Sequence, residues 1–566
     1  MKEALYLRNK TAIINFSVAY YKTPEELLSS KGFALFLKRF LMWLAVNDIE
    51  MYHWAVREQT LEEYIPHLVT TLKLLMVMDL SDIPEINTLD VLRLLSLVER
   101  GYDYWRKLER FTTVSSSSSS SIQFQSFMDA DLNFNALVIS IYRKLEEKLQ
   151  GRKNRIYRQL SAGSNGSLVL RTYHTKLPNE YNQLKNIQFI NTVMLRTPLM
   201  LYPTSNKRTG MFTEAKENPI RYFTGNQAEW YCYPARVGNL LIFVYFHEDY
   251  LAEAVAMSNL FELANSDDCV NKPDAIVIFG NQDEKKETVF FHDKANQMWI
   301  GSLSYCEAIE YFGYLKKIVL TLHNLTMMER GWLPIHGSMV RIFFKDHTVK
   351  NVVFIGDSGA GKSESIEALK TLAQDDILKT DVVFDDMGSF HQEDNNVYAQ
   401  GTEIGAFIRL DDLDRATPYK DMERSIFMNP TSTLNARVIL PSSPYELITS
   451  NQKIDYVLYA NNYENKIGLH RFETLDKAKE VFIQGRRMAL GTTGEKGISD
   501  TYFANPFGPM QKSEQCDKIW DKIFNALDQQ GTYIGEIYTR LGLENGKEKI
   551  TDSVKELVQH LAGEHE

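Results

Sequence analysis

Through the first 110 residues, apolar positions recur at intervals of three and four, the spacing of amphipathic helices rather than the alternation of strands. Leu89 to Phe111 (LDVLRLLSLVERGYDYWRKLERF) carries this pattern furthest, with basic residues gathered toward its end, where they complement the helix dipole. Thr23-Pro24-Glu25-Glu26 predicts a helix start, with a capping threonine, proline at the first helical position and acids in the first turn. Ser115 to Ser121 is unbroken serine, which has no apolar area to bury and predicts a solvated linker. A further helix is expected over Asn133–Gln150, stopped by Gly151.

Past residue 155 the pattern changes to short β-type runs: Ser167–Arg171, Ile187–Tyr202, Leu240–Phe246, Ala275–Phe279 and Thr288–His292. A helix from about Tyr305 to Arg330 follows, and from Trp332 strands alternate with short helices. No internal repeat is visible. The expected organisation is a helical N-terminal region (1–155), a mixed α/β lobe (156–330) and a third region (331–566). The expected fold class is therefore α/β of the mixed α+β kind.

Composition narrows the partners. With 63 basic and 73 acidic residues the net charge is −10, against the basic excess that a general nucleic-acid surface needs. The four cysteines (Cys232, Cys269, Cys306, Cys516) form no CxxC pair and read as reduced thiols. There is no charged-then-apolar leader, and no apolar run approaches the ~20 residues of a membrane span. A cytoplasmic protein with no membrane or nucleic-acid partner is expected.

The most informative segment is Val352-Val-Phe-Ile355 followed by Gly356-Asp357-Ser358-Gly359-Ala360-Gly361-Lys362-Ser363-Glu364. It satisfies G-x-x-x-x-G-K-[ST] in the required setting, a buried-strand run before and a helical pattern after. Glycines let successive N–H groups turn toward phosphate oxygens, and the following helix adds its positive end. Lys362 suits the β- and γ-phosphates and the Ser363 hydroxyl suits Mg²⁺, so ATP with Mg²⁺ is the expected ligand. Thr380-Asp-Val-Val-Phe-Asp385-Asp386 supplies a β-branched run ending in two carboxylates, the expected metal-binding acids.

The wording around this loop resembles two families. GDSGAGKSE is similar to the loop of HPr kinase. Ile335-His336-Gly337-Ser338 resembles the His-x-Ser strand of phosphoenolpyruvate carboxykinase, and Tyr311-Phe-Gly-Tyr-Leu-Lys316-Lys317 resembles that family's Y-x-G-x-x-K-K helix. Gly401 to Arg409 is similar to its E-G-G-x-Y-A-K segment, Asn435-Ala-Arg437 to its N-T-R, and Gly494-Glu-Lys-Gly497 with Phe503 to Gly508 to its later lid-like region. The resemblance runs over residues 220–560 in one order, and implies a two-lobed carboxykinase-like core behind an added helical region.

That resemblance assigns roles. Tyr311 would face substrate. Lys317, His336 and Asp386 would ligate a transition metal such as Mn²⁺, with Asp385 and Ser363 also placed among the cation ligands. Lys362, Arg409 and Arg437 would neutralise the transferring phosphoryl group. It implies ATP- and metal-dependent conversion of oxaloacetate to phosphoenolpyruvate and CO₂. One substrate arginine is missing: Asn226 stands where the family has it, and Arg221 and Arg236 are the candidates to replace it. An ATP-dependent kinase acting on a protein or small-molecule hydroxyl is the alternative. A further one is a nucleotide-binding assembly protein that uses the helical front to bind a partner or a second copy.

Overall fold

The computed structural model describes residues 4–83, 88–115, 121–158, 160–372, 377–410, 413, 419–432, 435–490, 496–543 and 546–563. The chain divides into two compact units, residues 1–173 with 186–199, and residues 174–185 with 200–566.

In the first unit helices dominate, but strands are present where helical periodicity alone was expected. Leu5–Arg8 pairs antiparallel with Thr11–Asn15, which runs parallel to Glu109–Ser115, which runs parallel to Gly166–Arg171; Gln188–Leu195 closes the set antiparallel. A parallel pair needs a long crossover, and helices fill both crossovers: Lys31–Asn47, Ile49–Val56, Leu61–Val77 and Thr88–Lys107 in one, Ser121–Gln150 in the other. The helix expected to reach Phe111 stops at Lys107, because Glu109–Ser115 (ERFTTVS) is β-branched enough to extend and buries its first five residues. Thr23 forms a capping box with Glu26, with Pro24 in the first turn. Ser115 ends a strand and Ser121 begins a helix; residues 116–120 of the serine run lie outside the described residues.

The floor of this unit holds one fully buried carboxylate. Asp131 accepts hydrogen bonds from Ser167 (2.8 Å), Thr112 (3.3 Å) and Ser164, and pairs with Arg196. Every donor comes from an adjoining strand or loop of the same unit, so the group ties the helix Ser121–Gln150 to the sheet.

The second unit carries two larger sheets. One contains Leu240–His247, Ala275–Asn281 and Met298–Ser304 in parallel, with Trp230–Val237 and Thr288–Asp293 antiparallel at its sides. The helix Phe312–Glu329 lies against it, buried along almost its whole length; Gly301 is needed there, since a side chain would meet Ile318 at 2.6 Å. The other sheet has the order Gln452–Lys453, Asn396–Gly401, Ile377–Glu393, Leu333–Phe344, Val349–Ile355, Tyr456–Asn461, Tyr533–Tyr538, Leu469–Arg471. Helices Lys362–Leu372 and Gly546–Leu561 pack with one set of its apolar residues, and Leu475–Gln484 and Ser513–Gln529 with another. A small sheet pairs Gly405–Arg409 with Arg437–Pro441 and the latter with Ile426–Met428.

Candidate functional site

The loop 356–361 joins the strand Val349–Ile355 to the helix Lys362–Leu372, the strand–loop–helix order that its spacing predicts. Gly359 and Gly361 adopt φ of +78° and +104°, which only glycine takes without strain. Gly361 also has no room for a side chain, because a Cβ there would lie 2.6 Å from Thr539. The neighbouring parallel strands hold the loop from their carboxyl ends. Asn462 donates to the Gly359 carbonyl (3.0 Å) and Thr539 to that of Ala360 (2.6 Å). This is where open α/β sheets place ligands. Lys362 Nζ donates back to the carbonyls of Gly356 (2.7 Å) and Asp357 (3.2 Å), while Ser358 is exposed at the loop's crest and Glu364 lies in the first turn of the helix.

Asp357 puts a buried carboxylate inside this loop. Burial alone would raise its pKa, but His336, Arg487, the Ser358 N–H and Lys362 outweigh burial and hold it below the usual range. Arg487, from the strand Arg486–Leu490, reaches Asp357 at 3.1 Å and the Ser358 carbonyl at 2.8 Å, and Thr501 donates to Asp357 at 3.1 Å. The hairpin Arg486–Leu490/Lys496–Asp500 is thereby fastened to the loop; Gly494 and Glu495 of its sequence motif lie outside the described residues.

Beside the loop, groups distant in sequence meet. The strands Leu333–Phe344 and Ile377–Glu393 run antiparallel, bringing Gly337 opposite Asp386 and Ser338 opposite Asp385. Asp386 receives Lys316 at 2.6 Å, Lys317 at 3.6 Å and His336 Nε2 at 2.9 Å. Burial would raise its pKa, but Lys316, Lys317 and His336 override burial and hold it well below the carboxylate range. Asp385 is separate. It accepts from the hydroxyls of Ser338 and Ser363, the latter at 3.0 Å. The five expected cation ligands therefore fall into two adjoining groups, Lys317/His336/Asp386 and Ser363/Asp385.

The two lysines differ in state. Lys316 sits 2.9 Å from Glu403 as well as on Asp386, and these acids outweigh its burial and keep it charged. Glu403 is pushed up to about 7 by burial, against the pull of Lys316. Lys317 is pulled down to about 8, with burial the largest cause, Asp386 opposing it and Lys316 and Arg208 adding to it. His336 is also lowered, by burial first and then Lys362.

The donor set suits a divalent cation. His336 Nδ1 lies 2.7 Å from the Ala504 carbonyl and so carries the proton and donates it. The Nε2 lone pair then faces an Asp386 oxygen, and two lone pairs at 2.9 Å need a cation or a proton between them. A lysine with a depressed pKa can lose its proton and become a nitrogen ligand. Among the described residues no group of three or more His, Cys, Asp or Glu side chains is set to hold a metal; this set reaches three only with Lys317.

Around the same point stand further cations. Tyr311 precedes the helix Phe312–Glu329, its ring 6.1 Å from Phe407, its hydroxyl accepting from Asn435 (3.4 Å). Arg437 lies over Phe407 at 5.4 Å, and Lys316 at 5.8 Å. Arg409 is the direct cross-strand partner of Arg437, a like-charge pairing that costs stability unless an anion sits near it.

Neither expected replacement for the missing arginine is here. Arg221 is exposed with Glu217 at 4.0 Å, and Arg236 is engaged by Asp268. Each therefore already has a carboxylate partner. The guanidinium at this place is Arg208, which the sequence reading missed. It is stacked on Phe212 (5.4 Å) and Phe507 (5.7 Å), donates to the Gly210 carbonyl, and has no acidic partner among the described residues. Thr209 N–H donates to Tyr314 OH (3.1 Å), and Lys317 Nζ lies 4.3 Å from the same Phe507 ring. Burial lowers the pKa of Arg208 and the nearby Tyr314 and Tyr311 oppose the shift, which locates it beside the helix start. Lys316, Glu403 and Arg487 were likewise without a role in the sequence reading.

No family model and no curated protein matches the chain.

Proposed function

We propose that the chain transfers the γ-phosphoryl group of ATP to the enolate formed when oxaloacetate loses CO₂, giving phosphoenolpyruvate and ADP. The observation that carries this reading is the convergence of Lys317, His336 and Asp386 on one point beside a phosphate-binding loop. Lys362 would exchange the loop carbonyls for the β- and γ-phosphates. Ser363 and Asp385 would hold Mg²⁺ with the nucleotide, and the nitrogen-rich set would hold Mn²⁺ or a similar transition ion. Bound cations supply charge neutralisation to the reacting oxygens.

The chain's own cations take the rest. Arg208, without an acidic partner among the described residues, would clamp an acceptor carboxylate bidentately, the part that Asn226 cannot perform. Arg409 and Arg437 would flank the transferring group from their cross-strand pair. The carbon–carbon bond to the leaving carboxylate breaks, its electron pair forms the enolate, and the enolate oxygen attacks the γ-phosphorus as the bond to ADP breaks. No protein base removes a proton in this sequence.

Full-length protein with ATP, Mg²⁺, Mn²⁺ and oxaloacetate is expected to form phosphoenolpyruvate and ADP in equal amounts, and Lys362→Ala to form both about 10³-fold more slowly. No phosphoenolpyruvate above that control rejects the reading. One observation favours a second reading, a kinase acting on a hydroxyl group. Among the described residues Asp385 is met by the hydroxyls of Ser338 and Ser363 and by no ion pair, which places it as the carboxylate to act as base toward a hydroxyl acceptor. Labelled phosphate passing from ATP to a hydroxyl acceptor without oxaloacetate would select it.

A further inference from the structure

The first unit carries a partly open pocket of about 140 Å³ between its helices and the strands Leu5–Arg8 and Thr11–Asn15. Among the described residues no charged side chain lines it; its walls are aliphatic and aromatic, with hydroxyls only from tyrosines and one serine. Native cores leave few gaps larger than a water molecule, and an apolar space of this size has room for a small ring. The walls suit a ring. Phe36 and Trp105 meet edge-to-face at 5.6 Å and 90°, Trp105 and Phe134 at 6.4 Å and 72°, and Tyr102 stacks on Tyr142 at 3.7 Å. Such surfaces offer both faces and edges to an aromatic guest.

Two details argue against a simple packing defect. Gly101 lines the cavity where a methyl group would fit, 3.4 Å from Phe40, so the space is left open at a position that could narrow it. One wall is also braced from outside, because Tyr142 OH donates to the Glu99 carboxylate at 3.0 Å. The cavity shares no residue with the phosphate-binding loop or its neighbours.

We infer that the first unit binds a small, neutral, aromatic molecule in this cavity. Charge is excluded because no side chain there would repay the desolvation of an ion. The proposal is independent of the phosphoryl-transfer reading.

Saturation-transfer NMR on the full-length protein tests it, with benzene and indole as probes and benzoate as the charged control of similar size. Benzene or indole is expected to bind saturably, with a dissociation constant on the order of 0.1–1 mM, and benzoate not at all. Leu72→Phe, which fills the space, is expected to weaken binding at least tenfold. Should that variant unfold at a lower temperature than the wild type, Gly101→Ala replaces it and is expected to weaken the same probes with a Tm no lower than the wild type's. Non-saturable binding, equal binding of benzoate, or unchanged affinity in a folded cavity-filled variant overturns the inference.

Discussion

Asp131 in the first unit is fully buried and Asp386 in the second is partly buried, both on elements packed against a sheet or within one, yet their surroundings differ in kind. Asp131 is closed: three hydroxyls and one guanidinium consume it, and no charge is left over. Asp386 is crowded by two lysines and a histidine, while Arg208 and Arg437 nearby have no acidic partner among the described residues. What sets the second place apart, among the described residues, is a gathering of cations that outnumbers its acidic partners, next to the loop whose glycine spacing suits phosphate.

The sharpest way to test that contrast is to remove charge on each side. Lys362→Ala should lower phosphoryl transfer by about 10³-fold in a coupled assay, with the unfolding transition unchanged. Arg208→Gln should raise the KM for the carboxylate acceptor by about 10²-fold while ATP affinity holds, and Arg208→Lys should recover little, because an ammonium lacks the planar fork. Asp131→Asn should instead cost about 2–3 kcal/mol of stability by denaturant unfolding, since it strips a fully buried acceptor from Arg196. The smallest effect concerns Glu99, whose pKa burial raises although Tyr142 opposes it. The fold holds its proton more tightly than the unfolded chain, so ionisation costs stability above the raised pKa and that cost vanishes at low pH. Glu99→Gln is expected to raise Tm slightly at pH 8 and leave it unchanged at pH 4. A reversed order of these pH effects breaks the assignment.

Much of the second unit was legible because its signals are local. The glycine spacing of 356–361, the strand before it and the helix after it are consecutive in sequence, and so are Asp385 and Asp386 at the end of a β-branched run. Arg208 was not legible for the opposite reason. It lies in a stretch without helix or strand, about 150 residues before the loop in sequence, and its meaning arises only when Phe507 and the helix start at Tyr311 close around it. In the first unit the strands Leu5–Arg8 and Thr11–Asn15 were hidden by brevity, and Glu109–Ser115 by helical periodicity running up to its edge.

The account rests on His336 and its neighbours forming one cation site. Titration of Mn²⁺ into the full-length protein, followed by the electron paramagnetic resonance of the free ion, tests it most directly. The expected result is one tight Mn²⁺ per chain in the absence of nucleotide, weakened at least about 100-fold in His336→Ala with ATP affinity retained. Equal Mn²⁺ binding by the wild type and His336→Ala would contradict it.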